Sequence, residues 1–421
     1  MNASHPALLT TVSALAVLAS SAAAQNIIDL GVLPSHTNSM ARAISGDGSI
    51  VVGVSLSNAS GDQRAVRWRL NAGPEDLGRL PGGTRAEAVG ISRDGAVIAG
   101  SSNGTAGTNA VRWTDAGVQP LGIPAGSVSS AAAGISADGS TIIGVAPVSI
   151  NFEIHYRPMS WTAAGGMIVR PIPAGVTDGA ARAASADGSI IVGDVGNILP
   201  VYSVYAGVAH RWHTGGNANI GVMQGGSYSY ATAISDDGAV VIGYGDFGGG
   251  MKAFRSTGAG LESLGLPGGA PSGSSLAYSM TPDGSVIVGG GQIAGQPTAW
   301  LWRADLGMVN LNTFLAAQGM NLTGWTLTEC RAISADGTAL CGTAQHNGLQ
   351  HAWVLRGLSL PNTNICPADF NQDGGIDGTD VEAFFAAWED AQPAADTNED
   401  GGIDGADVET FFAAWERGGC L

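Results

Sequence analysis

Oxygen-bearing side chains recur at fixed intervals near the C-terminal end of this 421-residue chain. Counted from Asp369, a stretch of twelve residues has oxygen donors at positions 1, 3, 5, 9 and 12, glycine at position 6, and a backbone carbonyl available at position 7. The same spacing begins again 27 residues later at Asp396. Hard oxygen donors arranged around a sharp turn suit a hard cation such as Ca²⁺. The predicted ligands of two Ca²⁺ ions are Asp369, Asn371, Asp373, Gly375, Asp377 and Asp380 in the first loop and Asp396, Asn398, Asp400, Gly402, Asp404 and Asp407 in the second.

Each loop leads into a segment whose apolar residues recur at helical spacing, which predicts one apolar face per helix. The two sets are Val381, Phe384, Phe385 and Trp388, and Val408, Phe411, Phe412 and Trp415. We expect these faces to pack together as the core of a small domain over residues 366–421. A domain of this size is marginal by itself, so metal ions and a disulfide between Cys366 and Cys420 would stabilise it.

The charge of the chain is concentrated in the same segment. The formal net charge is −17, and residues 366–421 carry fourteen Asp and Glu against one Arg, which gives −13. No basic patch is present to hold a phosphate backbone, so nucleic-acid binding is disfavoured. A solvated acidic tail is the alternative to a calcium site.

Two features separate these loops from ordinary EF-hands: aspartate stands at position 12, and no entering helix precedes either loop. With Gly-Gly-Ile-Asp-Gly, Phe-Phe-Ala-Ala-Trp-Glu and the terminal Gly419-Cys420, residues 366–421 resemble the GC-type dockerins, which are type I dockerin-like anchoring domains of exported bacterial proteins. The resemblance implies docking onto a protein anchor, either a cohesin-like domain or another surface receptor. A calcium-stiffened tail without a partner is the other reading.

The rest of the chain is built from repeats. The string Ala-Ile-Ser-x-Asp-Gly or a close relative occurs seven times, at intervals of 44 to 53 residues, and a glycine follows each aspartate by six residues. The aspartates are Asp47, Asp94, Asp138, Asp187, Asp237, Asp283 and Asp336.

Each repeat has the pattern of two β-hairpins, because β-rich runs flank the Asp-Gly turn and a second pair of runs follows. Four strands in about 47 residues are typical of a propeller blade. We therefore predict an all-β, seven-bladed β-propeller over residues 25–357, followed by a linker at 358–365. We expect residues 27–31 to pair with the last hairpin and close the ring; an open β-solenoid is the alternative.

The repeated residues have structural explanations. Aspartate before glycine is ordinary turn chemistry, and the recurrent Arg-Trp pairs, such as Arg67-Trp68, are expected to pack between blades. Residues 26–356 resemble the HAF-repeat family of extracellular proteins, through Ala-Ile-Ser-x-Asp-Gly and Ala-x-Arg-Trp. That resemblance implies export but no defined biochemical activity.

Two further cysteines flank the seventh Asp-Gly turn. Cys330 and Cys341 take positions that are alanine and an aliphatic residue in the other copies, and both become cysteine in the same copy. The paired change predicts a disulfide between them. Two free buried thiols are the alternative.

The N-terminal segment has the pattern of a secretory signal peptide. Residues 7–18 are apolar, and Ala22-Ala23-Ala24 offers a cleavage site after Ala24. We expect residues 1–24 to be removed and the mature protein to be secreted or held at a bacterial cell surface. A buried apolar segment is the other reading.

Neither a Gly-x-Ser-x-Gly elbow nor a His-Glu-x-x-His motif occurs in the chain, and the Gly-x-Gly-x-x-Gly match at residues 243–248 has no following helix and is taken as chance. We therefore expect a non-catalytic binding or display protein, anchored through its calcium module, with a glycan as one candidate ligand. The alternative is an extracellular propeller enzyme, a glycoside hydrolase or lyase acting on polysaccharide. Its candidate acids, Asp194, Asp246 and Glu153, show no paired pattern.

Overall fold

The structure, a computed structural model, describes residues 27–358 apart from 71, 200–203 and 249, and then 368, 370, 376–390, 392, 395–397 and 402–416. The predicted signal peptide, residues 1–24, lies outside this range. Within it, no helix is both long and apolar enough to cross a bilayer.

Antiparallel strands make up nearly all of the repeat region, as the alternating hairpin pattern predicts. The first strands are β1 (Ile28–Asp29), β2 (Asn38–Ile44), β3 (Ile50–Leu56), β4 (Gln63–Arg69), β5 (Pro74–Asp76), β6 (Ala86–Ile91), β7 (Ile98–Gly104), β8 (Gly107–Thr114), β9 (Gly117–Pro120), β10 (Ala131–Ile135), β11 (Thr141–Ile150), β12 (Glu153–Thr162), β13 (Gly166–Val169) and β14 (Asp178–Ala184). They are followed by β15 (Ile191–Leu199), β16 (Val204–His213), β17 (Gly216–Gly221), β18 (Ser229–Ile234), β19 (Val241–Phe247), β20 (Gly250–Ser256), β21 (Glu262–Gly265), β22 (Gly273–Met280), β23 (Val286–Ile293), β24 (Gln296–Arg303), β25 (Gly307–Asn310), β26 (Trp325–Ile333), β27 (Ala339–His346) and β28 (Leu349–Arg356). A 3₁₀ turn at Pro267–Gly269 and helix α1 (Leu311–Ala317) interrupt this series.

The strands form a β-propeller with five four-stranded blades, each made of four consecutive strands, from β2–β5 to β18–β21. The remaining strands, β22–β28 and β1, join in one eight-stranded sheet. The predicted seven-bladed propeller is therefore wrong. The two parts of the large sheet meet through a single pair, Gly290 opposite Glu329. Gly290 is the middle of three consecutive glycines, and an added Cβ there would lie only 3.3 Å from Cγ of Glu329, so a side chain would oppose this contact.

The repeated Ser-x-Asp-Gly segments form tight turns in which the aspartate is satisfied by its own hairpin. In the second copy the Ser92 hydroxyl donates to Asp94 Oδ1 (2.6 Å), the Ala96 N–H donates to the same oxygen (2.9 Å), and the Val97 N–H donates to Ser92 Oγ (2.9 Å). The same hydroxyl-to-carboxylate bond occurs in all seven copies, with Thr281 replacing serine in the sixth. The turn interpretation of these aspartates is confirmed.

The repeated glycine six residues after each aspartate has a steric cause. A bulge in the first strand of each hairpin brings a backbone carbonyl against it, so a Cβ on Gly53 would lie 2.0 Å from the carbonyl oxygen of Met40. The corresponding distance is 1.9–2.1 Å in the other six copies. Only glycine permits this approach.

Tryptophans from the repeats fill the space between neighbouring sheets. Trp68, Trp113 and Trp212 are at most 2% exposed and pack among aliphatic side chains. Burial of side chains of this size is a large source of stability. The packing role predicted for the recurrent tryptophans is confirmed.

The start of the repeat region pairs with its end, as predicted. In β1, Ile28 lies opposite Val354 of β28 and Asp29 lies opposite Trp353. At the other boundary Leu358, which the prediction placed in the linker, is buried in the core of the large sheet, and its N–H donates to the carbonyl of Thr338 (2.8 Å).

The cysteines of the seventh repeat are free and fully buried, so the predicted Cys330–Cys341 disulfide is not formed in this structure. A bulge shifts the register, with Cys330 opposite Gly342 and Cys341 opposite Ala332. The two side chains also belong to different hydrophobic clusters, one on each side of the sheet. Burial raises the pKa of both thiols.

The C-terminal segment contains the two predicted helices, α2 (Gly378–Glu389) and α3 (Gly405–Glu416). They meet through Phe384 and Phe411, whose rings are stacked with centroids 4.4 Å apart and are fully buried. The predicted apolar faces therefore form a common core. Cys366 and Cys420, the second predicted disulfide, lie outside the described residues.

Candidate functional site

The innermost strands of all seven repeats surround one channel with a cavity of about 280 Å³. The Ser-x-Asp-Gly turns lie at one end of the channel, called here the turn end. There, the backbone of the residue between serine and aspartate in one turn forms a hydrogen bond with a neighbouring turn. The Gly46 N–H donates to the carbonyl of Arg93 (2.9 Å), and the Ala335 N–H donates to the carbonyl of Gly46 (2.9 Å), which joins the last turn to the first. Across this ring, Arg93 forms two hydrogen bonds of 2.6 and 2.7 Å with Asp236. The turn end of the channel is thus braced by the chain's own groups.

Farther from the turns the channel carries arginines that are each paired with a carboxylate. Arg42 lies 2.8 Å from Glu87, and Arg331 lies 2.8 Å from Glu329. The Cζ atom of Arg331 also lies 4.1 Å from the centroid of the Tyr278 ring, in a cation–π contact. Burial raises the pKa of the Tyr278 phenol to about 12. This part of the lining is therefore aromatic and charged, with neutralised pairs.

A third arginine, Arg182, pairs with Asp194 beside a separate cavity of about 330 Å³ between the third and fourth blades. Asp194 is fully buried, and its Oδ2 has no hydrogen-bond partner in the part of the chain that the structure describes. A buried carboxylate oxygen without a partner is costly. Because Asp194 lines the cavity, a ligand with hydroxyl or other donor groups would satisfy this oxygen.

Asp178 lines the same cavity and is held by its neighbours. It accepts hydrogen bonds from the Tyr156 N–H (2.7 Å), the Thr177 hydroxyl (2.7 Å) and the His155 ring (3.0 Å). Burial raises the pKa of the Asp178 carboxyl, but these hydrogen bonds, with that of His155 the largest, bring it below its usual range. The cavity thus has a fixed carboxylate beside Tyr156, whose side chain is 46% exposed.

The acids named for the alternative enzyme do not converge. Asp194 belongs to strand β15 and Asp246 to β19, where it accepts a hydrogen bond from the Ser227 hydroxyl (2.9 Å). Glu153 begins β12 and is exposed. Asp194 was predicted from the sequence but Asp178 was not; the available signal was an acidic residue that opens the innermost strand DGAARAA, in which Arg182 is the one other charged residue.

The two predicted calcium loops have the same geometry wherever both are described. The Asp377 carboxylate accepts from the Thr379 N–H (2.9 Å), and Asp380 Oδ2 accepts from the Asp377 N–H (2.9 Å), which caps α2 at its N-terminus. In the second loop Asp404 accepts from the Ala406 N–H (2.8 Å), and Asp407 Oδ2 accepts from the Asp404 N–H (2.8 Å). The equal spacing of the aspartates in the two loops is therefore matched by equivalent hydrogen bonds at the start of each helix.

The position-12 aspartates, Asp380 and Asp407, are both fully buried. Burying a carboxylate carries a large desolvation cost, which a divalent cation would offset. The oxygen donors present are those that Ca²⁺ takes. Asp396 and Gly402 are also described, whereas Asp369, Asn371, Asp373, Gly375, Asn398 and Asp400 lie outside the described residues.

The second loop is hydrogen-bonded to the first helix, because the Trp388 indole N–H of α2 donates to the carbonyl of Asp404 (3.2 Å). Within the second loop itself, the Thr397 hydroxyl donates to the carbonyl of Asp407 (2.7 Å). A change in the geometry of the second loop should therefore change the environment of Trp388, which packs against the helix core.

Comparison with solved structures returns propellers. An oligogalacturonate lyase from Vibrio parahaemolyticus has a TM-score of 0.53 at 13% identity, over 78% of this chain and 93% of that chain. The β-propeller domain of the Trilobed protease from Pyrococcus furiosus has a TM-score of 0.53 at 12% identity, over 77% and 96%. TolB from Acinetobacter baumannii has a TM-score of 0.43 at 14% identity, and the match covers 63% of each chain.

At these identities the two matches with a TM-score of 0.53 show the propeller fold alone. No protein-family model matches the chain, and no curated protein matches it. The resemblances to HAF repeats and to dockerins therefore stay predictions.

Proposed function

We propose that this chain is an exported, non-catalytic binding protein, in which the propeller carries the ligand-binding surface and the C-terminal helix pair is a calcium-dependent anchoring module. The anchoring partner is a protein, either a cohesin-like domain or another receptor on or outside a bacterial cell. Two Ca²⁺ ions would be held by the loops that begin at Asp369 and Asp396.

One observation carries the proposal: the duplicated loop-to-helix geometry, in which Asp380 and Asp407 are buried at equivalent positions. A solvated acidic tail gives no reason for two carboxylates to be buried at equivalent positions. Calcium would add a positive charge between ligands that otherwise repel one another, so that binding free energy becomes folding free energy. A module that folds around calcium presents its outer helix surfaces to a partner only when the ion is bound.

The propeller's share of the proposal rests on the cavity between the third and fourth blades. The Oδ2 atom of buried Asp194 offers an acceptor, Asp178 and the Asp194-paired Arg182 add fixed charges to the lining, and Tyr156 exposes an aromatic ring. A flat apolar ring beside hydrogen-bonding groups matches a sugar, which has apolar faces and a rim of hydroxyls. We therefore propose a glycan as the ligand class.

The calcium part is tested by isothermal titration calorimetry on the full chain. We expect two Ca²⁺ per chain for the wild type and one for each of Asp380→Asn and Asp407→Asn. Asp237→Asn, in a repeat turn, is the matched control and keeps two. A wild-type protein that binds no calcium at millimolar concentration would remove the anchoring mechanism.

The ligand part is tested on a glycan array, followed by affinity measurements on the glycans retained. We expect Tyr156→Ala to weaken binding by roughly fivefold, the loss of about 1 kcal/mol of aromatic contact. Ile168→Ala, an exposed apolar change in the same sheet, should not weaken it. Release of reducing sugar from a bound polysaccharide would make the protein an enzyme and refute the non-catalytic proposal.

A further inference from the structure

We propose that Asp29, His346 and His351 form a binding site for a divalent transition-metal ion, with Zn²⁺ as the fitting ligand. The site lies at the junction where the N-terminal strand β1 joins the last hairpin of the repeats. It is separate from the acidic C-terminal loops and from the cavity between the third and fourth blades.

The three side chains converge on one point. Asp29 Oδ2 lies 2.8 Å from Nδ1 of His346 and 2.8 Å from Nδ1 of His351. All three candidate ligand atoms lie within 4.8 Å of one another. Two imidazole nitrogens and one carboxylate oxygen are a donor set that Zn²⁺ takes, and such three-ligand sites leave a fourth position for water or another ligand. The side chains are 14–29% exposed, so the site is accessible to an ion from solution.

Neighbouring groups hold the ligands in place. The other oxygen of Asp29, Oδ1, accepts a hydrogen bond from the Gly31 N–H (2.8 Å), which directs Oδ2 towards the histidines. The His346 ring is stacked on Trp325, with centroids 3.8 Å apart and planes 5° from parallel. Outer contacts of this kind orient the ligands of metal sites and tune their affinity.

The protonation state is also suitable. Nε2 of His346 lies 3.1 Å from the amide nitrogen of Asn347, and in that hydrogen bond Nε2 accepts. The neutral ring then carries its proton on Nδ1, where it bonds to Asp29. A metal ion would replace that proton at Nδ1, while Asn347 would continue to orient the ring.

The distances from Asp29 to the two histidines need to change only slightly. Bonds from Zn²⁺ to nitrogen and oxygen are about 2.0–2.2 Å, so two ligand atoms of a tetrahedral ion stand about 3.3 Å apart. Each nitrogen therefore moves about 0.5 Å from its present hydrogen-bonding distance to the carboxylate. Side-chain rotation can supply a shift of this size without displacing the strands.

The position of the site means that a bound ion would link the first strand of the repeats to the last hairpin. Asp29 is 317 residues before His346 in the chain, and β1 contributes only two residues to the sheet. A metal ion bound to both ends would fix the short strand to the hairpin at β27 and β28. Metal binding should therefore stabilise the closed arrangement of the repeats.

The test is a Co²⁺ and Zn²⁺ titration of the full chain without a histidine tag, in excess Ca²⁺ so that the acidic loops are saturated. We expect one Co²⁺ per chain with visible absorption bands, displaced by Zn²⁺, and a melting temperature several degrees higher with Zn²⁺. Asp29→Asn, His346→Gln and His351→Gln should each lose the Co²⁺ absorption and the shift. His36→Gln is the matched control, because His36 also contacts a carboxylate, Asp62 (3.5 Å), in the loops beside the first blade, and it should keep both.

The variants separate a metal site from a hydrogen-bonded cluster. Asp29→Asn and His351→Gln keep groups of the same size, and circular dichroism will show whether they are folded. If the wild type binds no Co²⁺, or if folded His351→Gln binds it as tightly as the wild type, the proposal is overturned. A melting temperature that falls in the variants but does not respond to Zn²⁺ in the wild type would also overturn it, since the cluster would then be only a hydrogen-bonded link.

Discussion

Aspartate next to glycine occurs in two regions of this protein and has a different chemistry in each. In the repeat turns one aspartate stands alone, and its carboxylate accepts hydrogen bonds from a serine hydroxyl and from a backbone N–H two residues on. In each C-terminal loop four aspartates are spaced three or four residues apart, and the last one is buried at the start of a helix. The dipeptide is the same in both regions. We propose that the spacing of the neighbouring oxygen donors decides whether a carboxylate completes a turn or binds a cation.

The largest expected difference between the two regions is their response to calcium removal. Chelation of Ca²⁺ should open the α2–α3 pair and leave the repeat turns unchanged, because in the proposed function only the loops bind a cation. At free Ca²⁺ of 100 times Kd, one site adds about 2.7 kcal/mol, or roughly a hundredfold in amide exchange. Hydrogen exchange with mass spectrometry on peptides spanning 378–389 and 405–416, against peptides spanning 92–97, measures both.

Two results would break that comparison. Equal acceleration in the turn peptides would mean that the repeats also depend on calcium. Full protection of both helices in chelator would mean that the Phe384 and Phe411 core holds without the ion. Mg²⁺ should restore protection poorly, because it demands a tight octahedral shell and loses water reluctantly.

A smaller effect is expected on acidification of the repeat turns. The hydrogen bond from the Ser45 hydroxyl, supported by the Ser49 N–H, lowers the pKa of Asp47 to about 2, and the pKa of Asp94 is lowered in the same way by Ser92. A depressed native pKa stabilises the fold above the unfolded value near 4 and ceases to do so as pH falls through the native value. The free energy of unfolding should therefore decrease between about pH 4 and pH 2.

The contribution of a single turn can be isolated with Asp47→Asn, which keeps an oxygen acceptor but does not titrate. Its unfolding free energy, measured by urea denaturation across this range, should depend on pH less steeply than that of the wild type. The difference in slope should correspond to the uptake of at most one proton on unfolding. An identical slope in both proteins would show that Asp47 is not among the groups that link acid to unfolding.

The sequence made the local chemistry predictable and left the connections between sheets undetermined. Turn residues, the bulge glycines and the buried tryptophans follow from the pattern of one repeat, because each is determined by contacts within a hairpin or with the next one. The junction of Gly290 with Glu329 does not follow from it, since it depends on how two sheets approach in space. The predicted Cys330–Cys341 disulfide is not formed in the structure for a related reason: the bulge beside Gly342 shifts the register, so that the two thiols face different sides of the sheet, and the paired appearance of the two cysteines does not show which side each one faces.

The candidate sites divide along the same line. The acidic loops could be proposed as calcium sites from the sequence because their candidate ligands are close together in it. Asp178 and Asp194 are neighbours only through the strand pairing of one blade, and Asp29 meets His346 and His351 only because the first strand joins the last hairpin. Long-range convergence of this kind carries no local sequence signal.

The smallest expected effect is the loss of one hydroxyl from one turn. Ser92 is fully buried, donates to Asp94 and accepts from the Val97 N–H, so Ser92→Ala removes two hydrogen bonds and leaves that N–H without its acceptor. We expect a loss of about 1–2 kcal/mol in the free energy of unfolding, measured by urea denaturation. The control is Ser272→Ala, at an exposed serine, which should change it by less than about 0.5 kcal/mol.

A second substitution shows whether the hydroxyl itself is responsible. Thr281 makes the same two bonds in the sixth repeat, to Asp283 (2.6 Å) and from the Val286 N–H (3.1 Å), so Ser92→Thr should lose less stability than Ser92→Ala. Calcium stoichiometry should stay the same in both variants, because no oxygen of these turns is directed towards an ion. If Ser92→Ala instead lowered the calcium stoichiometry, the turns and the loops would share one chemistry, and the distinction between the two regions would fail.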